Sequence, residues 1–404
     1  MKINKAFKFR IYPDNEQIQF LTQSFGCARF VYNYFLRQRI DYYAENAKGL
    51  SYFDNSTALT KLKKQPEFEW LNDINSQSLQ KALRNLDTAY NNFFKKLTKF
   101  PKFKKKRNKQ SFTAPQHFQI HDNVLDIPKC KGIKIKLHRD IEGTMKSITI
   151  SRTSSSKYFA SILCELELPE PIYSGGEIGI DYGIKAFITT SDGKSIESSN
   201  YLRKSEKRLK QLNKSFCKKQ PNSKNRYKAH KQLAKQHEKV FNQRQDFLNK
   251  TSKRLVSDNQ AIYIESLAIS NMVKNHHLAK SIIDSGWSTF VNMLKYKGDW
   301  YGCRIIEIDR WFPSSKRCHI CGYINDNLTL KDRSWLCPEC NANHDRDVNA
   351  SINILTFGRA GIAQTILPSL GGTRNACGEG SSLVSPISPS LKQEVSSELS
   401  VQEG

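Results

Sequence analysis

Two pairs of cysteines late in the chain constrain its fold more than any other feature. Each pair is a Cys-x-x-Cys knuckle, Cys318 with Cys321 and Cys337 with Cys340, and fifteen residues separate the two knuckles. A tight turn of this kind presents two thiolates together, and structural Zn²⁺ takes four such donors in a tetrahedron. We therefore predict a four-cysteine zinc ribbon over 317–344, with zinc as a structural cofactor. Two disulfides are the alternative, and nothing else in the sequence indicates an oxidising compartment.

The charge of the chain predicts a polyanionic partner. Its 404 residues hold 64 Lys and Arg against 38 Asp and Glu, a formal net charge of +26, and a balance of this kind is typical of nucleic-acid-binding proteins. No apolar run approaches the roughly 18 residues of a spanning helix, and the start, MKINKAFKFR, has no apolar signal-peptide core. We expect a cytoplasmic protein without a membrane partner.

The N-terminal half reads as strands interrupted by helices. Residues 3–11 alternate between apolar and basic, and the same period returns at 132–137 and 158–168. Between them, apolar residues recur at helical steps, most clearly from Leu79 to Leu97, where we expect the stripe to be core. This predicts a β-barrel from 1–12 and 99–172, to which the first strand adds itself across a helical insertion at 13–98.

A dense basic run follows the insertion. Residues 95–109 hold nine Lys or Arg and no acid, with two phenylalanines interleaved. A solvated surface is one reading, and contact with phosphates is the one we favour. The residues predicted to bind nucleic acid are Lys102, Lys104, Lys105, Lys106, Arg107 and Lys109.

The C-terminal half predicts a mixed α/β layer. Short apolar runs at 177–183 and 261–267 each carry an isolated acid, Asp181 and Glu265, and further strands are expected at 186–190 and 303–308. Between them, 203–254 holds 18 Lys or Arg and three acids, which predicts a basic helical hairpin at 199–258. A helix begins near Asp347, where a plain capping role is the alternative to chemistry.

Three carboxylates could therefore converge. If the strands are neighbours, Asp181, Glu265 and Asp347 would repel one another strongly unless cations were present. Mg²⁺ prefers such oxygen ligands, and two ions roughly 4 Å apart can activate water and stabilise the leaving oxygen of a phosphodiester. With the cationic surface, this indicates a nuclease or a strand transferase.

The motifs GIDYGIKAF, YIESLAISNM, PSSKRCHICG, CPEC and HDRDVNASINI together resemble the TnpB proteins of small bacterial transposons, relatives of the type V CRISPR effector nucleases. The resemblance extends over nearly the whole chain. It implies a RuvC-type, RNase H-like domain at 173–316 and 345–366 with catalytic Asp181, Glu265 and Asp347. The family pattern favours Asp347 over Asp345.

The resemblance further implies zinc on the four cysteines and Mg²⁺ or Mn²⁺ at the carboxylates. The implied partners are a guide RNA from the transposon end and double-stranded target DNA, cut beside a short duplex motif. We expect a monomer in the bacterial cytoplasm.

Two alternatives remain: an RNA-independent transposase that joins strands, and a non-catalytic zinc-ribbon regulator of transposition. The regular spacing of apolar residues is lost after Gly358, and 367–404 is expected to be disordered.

Overall fold

The structure is a computed structural model that describes residues 2–107, 109–168, 175–329 and 331–370, with side chains as far as Gly361. One compact unit spans Met1–Gly358. In the described ranges, no helix is long and apolar enough to cross a membrane.

The strands are β1 Lys2–Tyr12, β2 Gln110–Ala114, β3 Gln119–His121, β4 Val124–Ile127, β5 Cys130–Lys136, β6 Thr144–Arg152, β7 Tyr158–Glu167, β8 Gly176–Tyr182, β9 Ala186–Thr190, β10 Ser195–Glu197, β11 Asn259–Glu265, β12 Arg304–Ile308, β13 Ser334–Leu336 and β14 Asn343–Asp345. The helices are α1 Asn15–Asn46, α2 Tyr52–Leu62, α3 Ser76–Phe94, α4 Tyr201–Cys217, α5 Lys224–Asp258, α6 Ile269–Met272, α7 His276–Ser285, α8 Trp287–Tyr301 and α9 Arg346–Leu370, with a 3₁₀ helix at Pro66–Asp73.

The first sheet has seven antiparallel strands in the order β2-β6-β7-β1-β5-β4-β3. β1 lies inside it, paired with β7 from Lys2↔Glu167 to Ile11↔Tyr158 and with β5 on its other edge. The first strand thus joins the later strands across the helical insertion, as the alternation predicted. In the described residues, β2 and β3 lie at the two ends of this order and do not pair with each other, and the β-barrel predicted from 1–12 and 99–172 stays a prediction. The sequence did not predict β3 and β4. These strands are three and four residues long, which is too short to show a periodic pattern.

The helical insertion packs on this sheet through one shared core. Asp14 caps α1 in a reciprocal capping box with Gln17, which fixes where the helix begins. On α3, Leu79, Leu83 and Leu86 are buried, but Leu97 lies beyond the end of the helix and is exposed. The core stripe therefore stops before Leu97, contrary to the prediction.

The second sheet has five strands in the order β10-β9-β8-β11-β12, with β8, β11 and β12 parallel. Helix α9 packs directly against β8 at Gly179, where an added Cβ would lie 2.1 Å from the backbone oxygen of Ser351. A side chain at this position would push helix and strand apart. Together with the first sheet, this layer gives the mixed α/β architecture that the sequence predicted.

The basic hairpin is formed by α4 and α5. Leu248 and Leu255 are buried in its base, whereas Phe241, predicted on the same seam, is 51% exposed. The N-terminus of α4 is capped from a distance, since the backbone N–H of Leu202 donates to both carboxylate oxygens of buried Asp284 at 3.0 and 3.1 Å. Glu238 on α5 accepts from Ser155 at 3.0 Å and pairs with Lys157 at 2.8 Å. The hairpin is therefore held by α7, which carries Asp284, and by the connection between β6 and β7, which carries Ser155 and Lys157.

Helix α9 continues to Leu370, so the loss of pattern after Gly358 does not mark its end. The disorder expected at 367–404 stays a prediction, and 371–404 lies outside the described residues.

Candidate functional site

The three predicted carboxylates lie on elements that meet. Asp181 and Glu265 stand near the carboxyl ends of the neighbouring parallel strands β8 and β11, whose register pairs Ile180 with Ile264. Asp347 is the second residue of α9, the helix that packs on β8 at Gly179. Strand ends at one edge of an open α/β sheet are a common position for ligand sites.

These carboxylates influence one another electrostatically. Burial and the negative charges of Asp347 and Glu265 together raise the pKa of Asp181 to about 8, against a smaller opposing effect of Arg346. Burial also raises the pKa of Glu265 above its ordinary value. Acids that resist ionisation because of burial and like charge are typical of functional sites that bind a cation.

Asp347 is paired with arginines at present. Its carboxylate lies 3.3 Å from Arg346 and 3.8 Å from Arg333. The oxygens of the three acids are also less tightly grouped than the cysteine sulfurs described below. The donor set itself, three carboxylates, is of the hard-oxygen type that suits Mg²⁺ or Mn²⁺.

The two neighbouring aspartates of this segment have different local roles. The Asp345 carboxylate accepts from the backbone N–H groups of Asp347 and Val348 at 3.0 and 2.9 Å. Asp345 is therefore the cap of α9. The capping role considered for Asp347 belongs to Asp345, and the Asp347 side chain remains available for other contacts.

The four cysteines converge as the spacing predicted. Their sulfurs all lie within 4.8 Å of one another, with 3.7 Å between Cys318 and Cys340 and 3.5 Å between Cys321 and Cys337. A zinc tetrahedron with bonds of about 2.3 Å has edges of roughly 3.8 Å. The cluster therefore has the donors and nearly the dimensions of a zinc site, next to the small β13–β14 sheet.

Hydrogen bonds tie this ribbon to the helix that carries Asp347. Buried Asn349 accepts from the backbone N–H and the ring Nδ1 of His319, at 3.1 and 2.9 Å, and donates to the carbonyl of Arg317 at 2.8 Å. One turn later, buried Asn353 donates to the carbonyls of Ser314 and Arg317 at 2.9 and 2.6 Å. Because the two asparagines are four residues apart, they lie on one face of α9. The position of Asp347 thus depends on the first knuckle.

A cationic groove lies beside the first sheet and its helical insertion. It consists of two adjoining cavities of about 210 and 400 Å³ that share Phe25, Arg29 and Gln110. No Asp or Glu is among their lining residues. The basic residues that line them are Arg29, Lys81, Lys104, Lys105 and Lys109 in the smaller cavity, with Lys106, Arg107 and Arg152 added in the larger. So many like charges favour an anionic occupant, such as a sugar-phosphate backbone.

The sequence prediction covered part of this groove. Lys102 lines neither cavity. Lys104 is held in place, since its backbone N–H donates to Asn33 at 2.8 Å and its ammonium lies 3.9 Å from the centre of the Tyr32 ring. Burial lowers the pKa of Lys104. Arg29, Lys81 and Arg152 were missed because they come from α1, α3 and β6, and no linear pattern joins them to the basic run.

Three family models match the chain. A Cas12f1-like TNB domain matches 287–354, the family "Probable transposase" (OrfB of IS605) matches 161–276, and a helix-turn-helix domain matches 1–48. In the last range the structure has a strand and one long helix, β1 and α1, instead of two helices joined by a turn.

Proteins with similar sequence and structure extend over nearly the whole chain. A Streptomyces pristinaespiralis protein named "Putative RNA-guided DNA endonuclease" is 38% identical over 90% of this chain and 91% of its own. The Escherichia coli protein "Putative RNA-guided DNA endonuclease InsQ" is 30% identical over 90% of this chain and 94% of its own.

Among solved structures, the Cas12f1 chain of a Cas12f1–sgRNA–target DNA complex superposes with a TM-score of 0.54 at 15% identity, covering 87% of this chain and 98% of that one, which supports a shared fold. The sequence identity to full-length relatives, the transposase family model and the shared motifs together lead to one conclusion: this protein belongs to the TnpB family.

Proposed function

We propose that this protein is a Mg²⁺-dependent DNA endonuclease directed to its target by a guide RNA. Two full-length relatives carry names of this meaning, and the acid-free cationic groove suits a nucleic acid of either kind. The cut would be made at Asp181, Glu265 and Asp347, within an RNase H-like domain of the RuvC type.

The observation that carries the proposal is the electrostatic coupling of three acids drawn from widely separated parts of the chain. Asp181 is raised in pKa to about 8 by burial and by two other carboxylates, at a real cost to folding. A fold that retains such a cluster gains from it when a cation is bound, and the parallel strand ends give two of the acids a fixed direction.

Each residue has a defined part in this proposal. Asp181 and Glu265, at the ends of β8 and β11, would hold metal from a rigid sheet edge, while Asp347 would reach it from the first turn of α9. When bound there, Mg²⁺ supplies charge neutralisation at a phosphodiester and activation of the attacking water. Arg333, whose guanidinium now lies 3.8 Å from the Asp347 carboxylate, would contact phosphate once that carboxylate turns to the metal.

The zinc ribbon would be structural and would fix the position of α9. The seven-stranded sheet and its helical insertion, with the cationic groove between them, would grip RNA and DNA and recognise a short duplex motif beside the target, while base pairing with the RNA reads the sequence.

The test uses the protein with the RNA that co-purifies with it. That RNA is sequenced, and a DNA duplex matching its variable part is offered with Mg²⁺. We expect cleavage of the matching duplex and none of a scrambled one, and loss of cleavage in the double variant Asp181→Ala, Glu265→Ala. Equal cutting by that variant would refute the site.

The same preparation separates the alternatives. Strand-transfer products formed on transposon ends by RNA-free protein would favour an RNA-independent transposase. Binding of DNA with no Mg²⁺-dependent response of any kind would favour a non-catalytic regulator.

A further inference from the structure

A single tryptophan stands out on the surface next to the candidate active site. Trp311 is 79% exposed, the highest value among the large hydrophobic residues that the structure describes as exposed. Isolated apolar residues on a surface are ordinary. An indole this exposed is unusual when hydrogen bonds and ring packing hold the backbone before and after it, as they do here.

The loop that presents Trp311 is held rigidly. The Trp311 backbone N–H donates to the Asp309 carboxylate at 2.7 Å, and the Phe312 N–H donates to the Asp309 carbonyl at 3.2 Å. The next ring, Phe312, stacks on Phe357 of α9 with 4.1 Å between centroids and 20° between planes. The chain around Trp311 is thus packed against α9, while the indole projects into solvent.

The position of Trp311 relative to the carboxylates follows from the strand register. Glu265 pairs with Ile308, the last residue of β12, and the Ser266 N–H donates to the Ile308 carbonyl at 3.3 Å. Trp311 is the third residue after Ile308, and an extended chain covers at most roughly 11 Å in three steps. Trp311 therefore lies beside the sheet edge that carries Glu265.

One side of the indole is already occupied by a cation. The Arg310 guanidinium lies 5.0 Å from the centre of the Trp311 ring system. Arginine and tryptophan side by side can bind one nucleotide twice, since the indole stacks on the base and the guanidinium contacts a phosphate. An exposed apolar patch meant for protein would be larger and would have no such cation at its centre.

We propose that Trp311 and Arg310 form a stacking shelf for one unpaired base of the DNA strand that is cut, a role that rests on the proposed nuclease function. A base inside a duplex is stacked on both sides and cannot use the indole, so the occupant is single-stranded. The loop reaches at most roughly 11 Å, and nucleotides of a single strand are spaced at least as widely as the 3.4 Å rise of a duplex, so that base lies within roughly three nucleotides of the phosphate at the carboxylates. The shelf holds the strand in register with Asp181 and Glu265. It binds substrate and takes no part in the bond exchange.

The first experiment is a fluorescence titration with a short single-stranded DNA oligonucleotide, in raised salt to weaken phosphate contacts elsewhere. It uses the guide-RNA-loaded protein with Asp181→Asn, which does not cut, so that binding is measured apart from cleavage. We expect quenching of tryptophan emission that disappears in Trp311→Phe, because the remaining tryptophans are not at the shelf.

Affinity is measured in the same background. Trp311→Ala should bind roughly 5- to 150-fold more weakly, as expected for loss of one base-stacking contact. Trp311→Phe should keep most of the affinity, and Arg310→Gln should lose part of it. Tyr301→Ala is the matched control, because Tyr301 is an aromatic residue that is 45% exposed at the end of α8, and it should bind like the parent.

A scan with single abasic nucleotides locates the base. In the parent, an abasic nucleotide within about three positions of the cut should weaken binding, and at that position Trp311→Ala should cause no further loss. The shelf would be overturned if the losses from the abasic nucleotide and from Trp311→Ala were additive at every position, or if Trp311→Ala left the affinity unchanged. It would also be overturned if guide RNA quenched the Trp311 emission before DNA was added. Failure of the whole nuclease proposal would appear differently, as absence of Mg²⁺-dependent cutting by the unmutated protein whatever Trp311 does.

Discussion

The two candidate metal sites of this protein are built in opposite ways. The cysteine sulfurs come from two tight turns and lie within 4.8 Å of one another. The three carboxylates come from two strands and a helix, are more loosely grouped, and are partly neutralised by arginines. The first cluster is encoded by a short stretch of sequence, and the second exists because the fold brings distant segments together. A structural ion needs a closed set of ligands, while a catalytic one needs room for water and substrate.

The largest effect is expected from removing the compact cluster. Cys337→Ser should lose zinc and unfold the ribbon, because the folding free energy of such a domain depends on an ion worth on the order of 10 kcal/mol apparent. Metal analysis should give about one zinc per chain for the parent. Cys217→Ser is the control, since Cys217 is exposed on α4, outside the cluster. Full zinc content in Cys337→Ser would contradict the assignment.

The second prediction concerns the open cluster. Asp181→Asn should lower the rate of DNA cleavage at least about a thousandfold, roughly 4 kcal/mol in activation free energy, while zinc content and fold are retained. The comparison variant is Asp192→Asn, which changes a carboxylate on the β9–β10 turn that pairs with Lys194. Its cleavage rate should stay at the parent level. An equal loss in both would mean that the effect is not specific to the cluster.

The third prediction follows from the pKa of Asp181, which is about 8 in the folded protein against about 3.9 in an unfolded chain. Between these values the folded state holds a proton that the unfolded state has lost, so stability falls as the pH rises from about 4 to 8. Without Mg²⁺, Asp181→Asn should therefore match the parent in thermal unfolding near pH 4 and exceed it near pH 8. The difference is on the order of 3 kcal/mol after allowance for partial solvent access.

Saturating Mg²⁺ should shrink that advantage, because the ion stabilises the ionised parent. A difference in stability between Asp181→Asn and the parent that does not vary with pH would contradict the raised pKa of Asp181.

The smallest effect tests the link between the clusters. Asn353→Ala removes the hydrogen bond that the carbonyl of buried Ser314 accepts, while the Arg317 carbonyl keeps its bond from Asn349, and it should destabilise the protein by about 1–3 kcal/mol in denaturant unfolding. Because Asn353 ties α9 to the first knuckle, cleavage should also slow while the zinc content stays at the parent level. Thr356→Ala, which removes a hydroxyl bonded only within the same helix, should change neither. Unaltered cleavage in Asn353→Ala would show that the ribbon does not position Asp347.

Sequence patterns predicted the local features well and the convergent ones poorly. Alternation located β1, β5 and β7, and short apolar runs located β8, β9, β11 and β12, but the sequence did not predict β2, β3, β4, β6 or β10. Periodicity could not tell which side of a long helix meets the fold, so Phe241 was misplaced. It also could not show that Asp345 caps α9 while Asp347 does not, because both satisfy the same preference.

Sequence patterns could not predict contacts between residues that are far apart along the chain. Arg29 and Arg152 enter the groove from different elements, and the Asn349 and Asn353 bonds to the ribbon depend on how α9 is laid over β8. No spacing along the chain encodes these contacts.

The interior position of β1 has a consequence for synthesis on the ribosome. Its partner β7 begins at Tyr158 and β5 at Cys130, so the opening strand must wait, with both edges unsatisfied, until those segments emerge. At 5–20 residues per second the delay to β7 is roughly 10–30 s. The helices in between can form during that interval, since their contacts are local. The nascent chain therefore carries a strand with unpaired backbone groups for much of its translation. The alternating lysines of β1 disfavour pairing of this strand with other chains and thus aggregation.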